Sequence, residues 1–88
     1  MSDRDGEDAR GLAALGAAIE ALRTQAGLSA DELAARAELP PRSLEAIETG
    51  REEPTWGDLR RLAQGLETPL EELLRLAESL EQTRPGPA

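Results

Sequence analysis

Four turn signals divide the central stretch of this chain into segments that can only be short, packed helices. "AGLSADE" at 26–32 joins a helix stop to a helix start. Gly27 suits the left-handed residue that closes a helix, with Leu28 placed to pack back over it. Ser29 and Glu32 then have the spacing of a capping box. Pro40 and Pro41 forbid continuation of the helix begun near Ala30, yet Pro41 suits the first turn of another, where its missing N–H costs nothing. Gly50 closes that helix, Pro54 follows, and Thr55 with Asp58 repeats the capping spacing. "TPLE" at 68–71 offers Thr68 as cap, Pro69 at the first helical position and Glu71 at the third.

Between these signals, apolar residues recur at helical spacing. Leu12, Leu15, Ile19, Leu22 and Ala26 form the first stripe; Leu33, Ala34 and Ala37 the second; Leu44 and Ile47 the third. Leu59, Leu62, Ala63 and Leu66 form the fourth, and Leu70, Leu73, Leu74, Ala77 and Leu80 the fifth. The reading is an all-α fold, a compact five-helix bundle over 11–82 with no strand. Residues 1–10, an acidic stretch, and 83–88 lack periodicity and are expected to be disordered tails. Trp56, the single aromatic residue, is expected in the core or half-buried, with a partner contact as the sharper alternative.

Composition narrows the function. At 88 residues the chain is one small domain whose modest core favours extra burial through a partner. Without cysteine or histidine it lacks disulfides, thiolate nucleophiles, imidazole bases and the usual zinc ligands. Ser29 and Ser43 have no histidine or lysine to activate them, and there is no glycine-rich phosphate loop. "DRDGED" near the start lacks the spacing of a calcium loop. The chain therefore reads as a non-enzyme with no cofactor and no metal. No apolar run approaches the roughly 20 residues that span a bilayer, and the start is acidic rather than signal-like, so a cytoplasmic protein is expected. Its ten cations are all arginine and face 18 acids, for a net charge of −8. Phosphate binding depends on cations that displace condensed counterions. The charge thus weighs against nucleic acid unless the arginines gather on one face.

The segments "LGAAIEALRTQAGLSADELAARAEL", "LEAIETGREEPTWGDLRRLAQGLE" and "LEELL", from Leu12 to Leu74, resemble the phage-repressor (Cro/repressor-type, or Xre) helix-turn-helix domains. Leu22-Arg23, "GLS", "ELA", "IETG" and Pro54 stand at the family's spacing. The resemblance implies a bundle of that type and a structural ion pair between Arg23 and Glu48. On a helical wheel Glu48 indeed lies beside Leu44 and Ile47. It further implies that helix 41–49 reads a major groove through Pro41, Arg42 and Ala46, with Ser43 nearby, while Ser29, Ala30, Thr49 and Arg51 meet phosphates.

Departures from the family are informative. Ala30 stands where a phosphate-binding Gln is common. Glu38 and Glu67 replace glycine in left-handed turns, and Pro40 replaces the Ser or Thr cap of the third helix. Glu45 has three readings: an acceptor for cytosine, an i,i+3 partner for Arg42, or a repellent of phosphate. Glu52 and Glu53 occupy a loop that is usually basic.

The resulting expectation is a sequence-specific DNA-binding transcriptional regulator, a repressor or autorepressor, with double-stranded DNA as partner. The alternative is an acidic interaction module on the same fold that binds a basic protein. A homodimer is expected through Leu73, Leu76, Ala77 and Leu80 of the fifth helix, because its stripe is too wide for one small core and Leu76 looks spare.

Overall fold

A computed structural model describes residues 3–82. Five helices succeed one another: α1 (Asp3–Gln25), α2 (Ala30–Arg36), α3 (Pro41–Glu48), α4 (Trp56–Gly65) and α5 (Leu70–Gln82). No strand occurs among the described residues. The expected tail at 83–88 lies outside them. The expected N-terminal tail is corrected: from Asp3 onward it is the first part of α1. A helix already nucleated by a packed segment extends at little cost per residue. Polar residues can prolong it without any apolar period, and residues 8–10 are indeed exposed.

The turn signals act as read. Ser29 Oγ accepts from the Glu32 N–H at 3.0 Å while the Glu32 carboxylate accepts from the Ser29 N–H at 2.8 Å. Thr55 and Asp58 make the same reciprocal pair at 3.0 Å each. Pro40 caps α3 without a side-chain bond. Thr68 departs from expectation: its hydroxyl donates to the Leu66 carbonyl at 3.2 Å, and α5 begins at Leu70.

α1, α2, α3 and α4 all end in one motif, a left-handed residue followed by a bond back to the last turn. Gly27 (φ 75°) and Gly50 (φ 76°) adopt it freely, whereas Glu38 (φ 57°) and Glu67 (φ 54°) bear its cost of about 1 kcal/mol each. The bonds Leu28 N–H to Arg23 O and Leu39 N–H to Ala34 O belong to it, as do Arg51 N–H to Ala46 O and Thr68 N–H to Ala63 O, at 2.8–3.0 Å.

The core gathers Ala18, Ile19, Leu33, Ala34, Ala37, Leu44, Ile47, Leu62, Ala63, Leu66, Leu73 and Ala77. On α1 the buried line is centred on Ala14, Ala18 and Ile19, while Leu12, Leu15 and Leu22 flank it half-buried and Ala26 is exposed. Small residues lie at the centre because other backbones come close. A Cβ on Gly16 would collide with the carbonyl oxygens of Ile47 and Glu48, so α1 rests directly on the end of α3. Gly65 similarly brings α4 against Leu33 and Arg36 of α2. Two arginines tie the same pair of helices. Arg36 Nη1 donates to Gly65 O at 3.0 Å, and Arg61 Nε donates to Ala37 O at 2.9 Å.

Two expectations about apolar residues are corrected. Trp56 is 63% exposed rather than core, at the first position of α4. Leu76 is not spare. It packs half-buried on the core with Leu80, while Leu73 and Ala77 are buried in it, so all four contribute to packing within one chain. The exposed leucine of α5 is Leu74, at 40%.

The Gly16 contact gives a direct test. Gly16→Ala must push α1 off the α3 carbonyls, and its expected cost is at least about 2 kcal/mol in urea unfolding. Gly11→Ala, where an added Cβ meets nothing within 4 Å, is expected to be neutral or stabilising. Equal stabilities for the two variants would overturn this account.

Candidate nucleic-acid interface

Arg23 determines how α2 and α3 are presented. Its Nε donates to Glu48 Oε2 at 2.7 Å and its Nη2 to Glu48 Oε1 at 3.2 Å, a bidentate fork across α1 and α3. Its Nη1 donates to Leu28 O at 3.0 Å, at the entrance to α2. One side chain therefore spans α1, the turn before α2 and the last turn of α3. The arginine side chain is 16% exposed and the glutamate 8%. The hydrogen bond to Glu48 raises the Arg23 pKa against the opposing cost of burial, with the charges of Glu48 and Glu20 adding to it. The capping box acts similarly on α2: the Ser29 N–H lowers Glu32 below the usual carboxylate range.

With α2 and α3 held this way, an open groove forms between them and α1. Ala30, Pro41, Arg42, Glu45 and Thr49 line it, together with Glu20, Asp31 and the structural Glu48. Five of the expected contact residues are thereby gathered in one place. Ser29 stands at its edge as the exposed N-cap of α2, its oxygen engaged by Glu32. Ser43 and Ala46 are half-buried and are not among the lining residues. Arg51 joins through side chains that line the groove: its Nε donates to Thr49 Oγ1 at 3.0 Å and its Nη2 to Glu45 Oε1 at 3.2 Å.

That last bond corrects one reading of Glu45. The carboxylate pairs with Arg51 rather than Arg42, because the tight turn after α3 folds Arg51 back over the helix end. Among the described residues Arg42 has no ion pair and is exposed.

Among the described residues, Arg36, Arg60, Arg61 and Arg75 do not gather here. Arg36 and Arg61 are spent on backbone carbonyls, and Arg75 pairs with Glu72 at 3.5 Å. Arg60 lines a separate groove with Thr68, Pro69 and Leu70. Glu20 and Asp31 were missed as groove residues by sequence reasoning. The one available signal was that Glu20 lies a helical turn before Arg23 and Asp31 directly follows Ala30. The face can offer Arg42 to a base edge and Arg51 to a phosphate, within an acidic surround.

The chain matches the family described as "Helix-turn-helix domain" over residues 14–76. Among solved structures it is similar to the restriction-modification controller protein C.AhdI from Aeromonas hydrophila. That protein is 29% identical over 70% of this chain and 94% of its own, with a TM-score of 0.69. It is also similar to the clp gene regulator ClgR from Corynebacterium glutamicum. One ClgR structure matches at 29% identity over 78% of this chain and 90% of its own, TM-score 0.75. Another matches at 28% over 82% and 77%, TM-score 0.80. No curated protein matches the sequence at a significant level. No helix among the described residues is long and apolar enough to cross a membrane.

The Arg23–Glu48 pair is testable as the support of this face. Arg23→Met leaves a nearly buried carboxylate without its partner and is expected to cost about 3 kcal/mol in denaturant unfolding. Adding Glu48→Met is expected to recover most of that loss, because the uncompensated charge is gone. No recovery in the double variant would mean that the fork itself, not the stranded charge, carries the energy.

Proposed function

The chain belongs to the helix-turn-helix domain family, and on that premise we propose that it is a DNA-binding transcriptional regulator, acting as a repressor or autorepressor, whose α3 enters a major groove. The observation that carries the reading is Arg42: exposed, unpaired, and near the start of the helix that the fold turns outward. An arginine so placed can bond both acceptors of a guanine edge, an interaction that discriminates by about 1–3 kcal/mol. Arg51, held over the end of α3, serves as a phosphate contact. The controller and gene-regulator roles named for the similar structures support the same reading. A regulator of this kind works in the cytoplasm, on double-stranded DNA.

A two-fold homodimer completes the proposal, since paired recognition helices read half-sites about one helical turn apart. Leu74 and Trp56 are the exposed large apolar residues it would draw on, beside the half-buried Leu76 and Leu80, whereas Leu73 and Ala77 are buried. A monomer mass in ultracentrifugation at tens of micromolar would overturn this part.

A second reading, an acidic module for a basic protein, draws support from Glu20, Asp31 and Glu45 in the groove. Selection from random duplexes at two salt concentrations separates the two. An enriched motif is expected, lost with Arg42→Ala. Arg51→Ala is expected to weaken binding and to reduce the salt slope by about one per chain. No enrichment even at low salt would favour the protein-binding reading.

A further inference from the structure

We propose that Glu45 specifies a cytosine in the half-site, beside the guanine taken by Arg42. The inference rests on the DNA-reading role of α3 and adds the identity of a second base.

Arg42 and Glu45 are three residues apart on α3, hence on one helix face and about 4.5 Å apart along its axis. Base pairs rise about 3.4 Å per step. The two side chains therefore meet base pairs one or two steps apart.

An ionised carboxylate only accepts hydrogen bonds. In the major groove guanine offers the acceptors N7 and O6, and thymine offers the acceptor O4, so both face Glu45 lone pair to lone pair. Adenine has an amino donor with the N7 acceptor beside it. Cytosine presents its N4 amino group without a neighbouring acceptor. A carboxylate at this position is repelled by guanine and thymine, meets a mixed edge on adenine, and is best matched by cytosine.

The fixing is visible. Arg51 Nη2 holds Glu45 Oε1 at 3.2 Å, and Arg51 Nε donates to Thr49 Oγ1 at 3.0 Å. Thr49 Oγ1 in turn donates to the Glu45 carbonyl at 2.9 Å. The ring anchors the carboxylate to the end of α3. Among the described residues Glu45 Oε2 makes no hydrogen bond and remains available to a base. Arg51 also supplies a positive charge beside the carboxylate, which offsets its repulsion by flanking phosphates. Its Nη1 is not used in the ring, so the same residue can reach a phosphate.

The experiment is selection from random duplexes with three full-length proteins: wild type, Glu45→Gln and Arg42→Ala. Glutamine bonds both the amino group and N7 of adenine. Wild type is expected to enrich a half-site containing guanine and, within two base pairs, cytosine. Glu45→Gln is expected to exchange that cytosine for adenine and keep the guanine. Arg42→Ala is expected to lose the guanine and keep the cytosine as a weaker motif. In direct titration of wild type, changing the cytosine is expected to cost tenfold to a hundredfold in affinity, on the order of the discrimination one specific base contact gives. Both residues are exposed, and matching thermal melts confirm that the variants are folded. A motif unchanged by Glu45→Gln would overturn this inference alone. No enrichment by any of the three would overturn the DNA reading and the inference with it.

Discussion

The arrangement of α1, α2 and α3 depends on the meeting of Arg23 with Glu48. Three hydrogen bonds from one guanidinium fix the end of α3 and the entrance to α2 against α1. The pair sits just beneath the outward face, and Glu48 is both a groove wall and the arginine's partner. Such an ion pair contributes little net stability compared with a well-packed apolar pair, but it is directional. A fork with fixed geometry sets the rotation of α3 in a way that leucine packing alone does not. Gly16 complements it by letting the α1 backbone reach the α3 carbonyls. Together these contacts hold the outward residues of α3 on a rigid support, as the proposed reading surface requires.

The same logic explains the distribution of charge. The chain carries ten arginines and no lysine. A planar guanidinium can satisfy several acceptors at once, so it suits helix ends and carbonyls better than an ammonium group does. Arg23, Arg36 and Arg61 are used for that purpose. They hold helices together through bonds that cross between them. Arg42 and Arg51 are left to act outward from α3 and its following turn, and Arg51 already shares a carboxylate. With 18 acids against ten cations, the protein has weak general attraction for a polyanion. Its recognition therefore rests more on individual contacts than on bulk charge.

Much of this was legible in the chain. The boundaries of α2, α3 and α4 followed from Ser29, Pro41, Gly50 and Thr55, because capping and ring geometry are local. Leu33, Leu44, Ile47, Leu62 and Leu73 were correctly placed in the core, since helical period and apolar character agree there. The Arg23–Glu48 pair was legible through family resemblance together with the wheel position of Glu48. Other residues resisted. The start of α1 was set too late because apolar period says nothing about a polar extension. Trp56 was drawn inward by its hydrophobicity although the first position of α4 lies at the rim of the bundle, in solvent. Leu76 was judged spare because a wheel shows one helix and not the breadth of the surface that receives it.

Local chemistry along the chain determined where helices begin and end, that they are all α, and which leucines seek a core. Those properties depend on residues within a few positions of each other. Tertiary structure decided which atoms meet across tens of residues: Arg36 with the end of α4, Arg61 with the end of α2, and Leu76 with the core. Such choices turn on the crossing of helices and on differences of an ångström in approach, which glycines such as Gly16 and Gly65 set by what they lack. No periodicity records a distance between helices, and so the character of the outward face emerged only when they were packed.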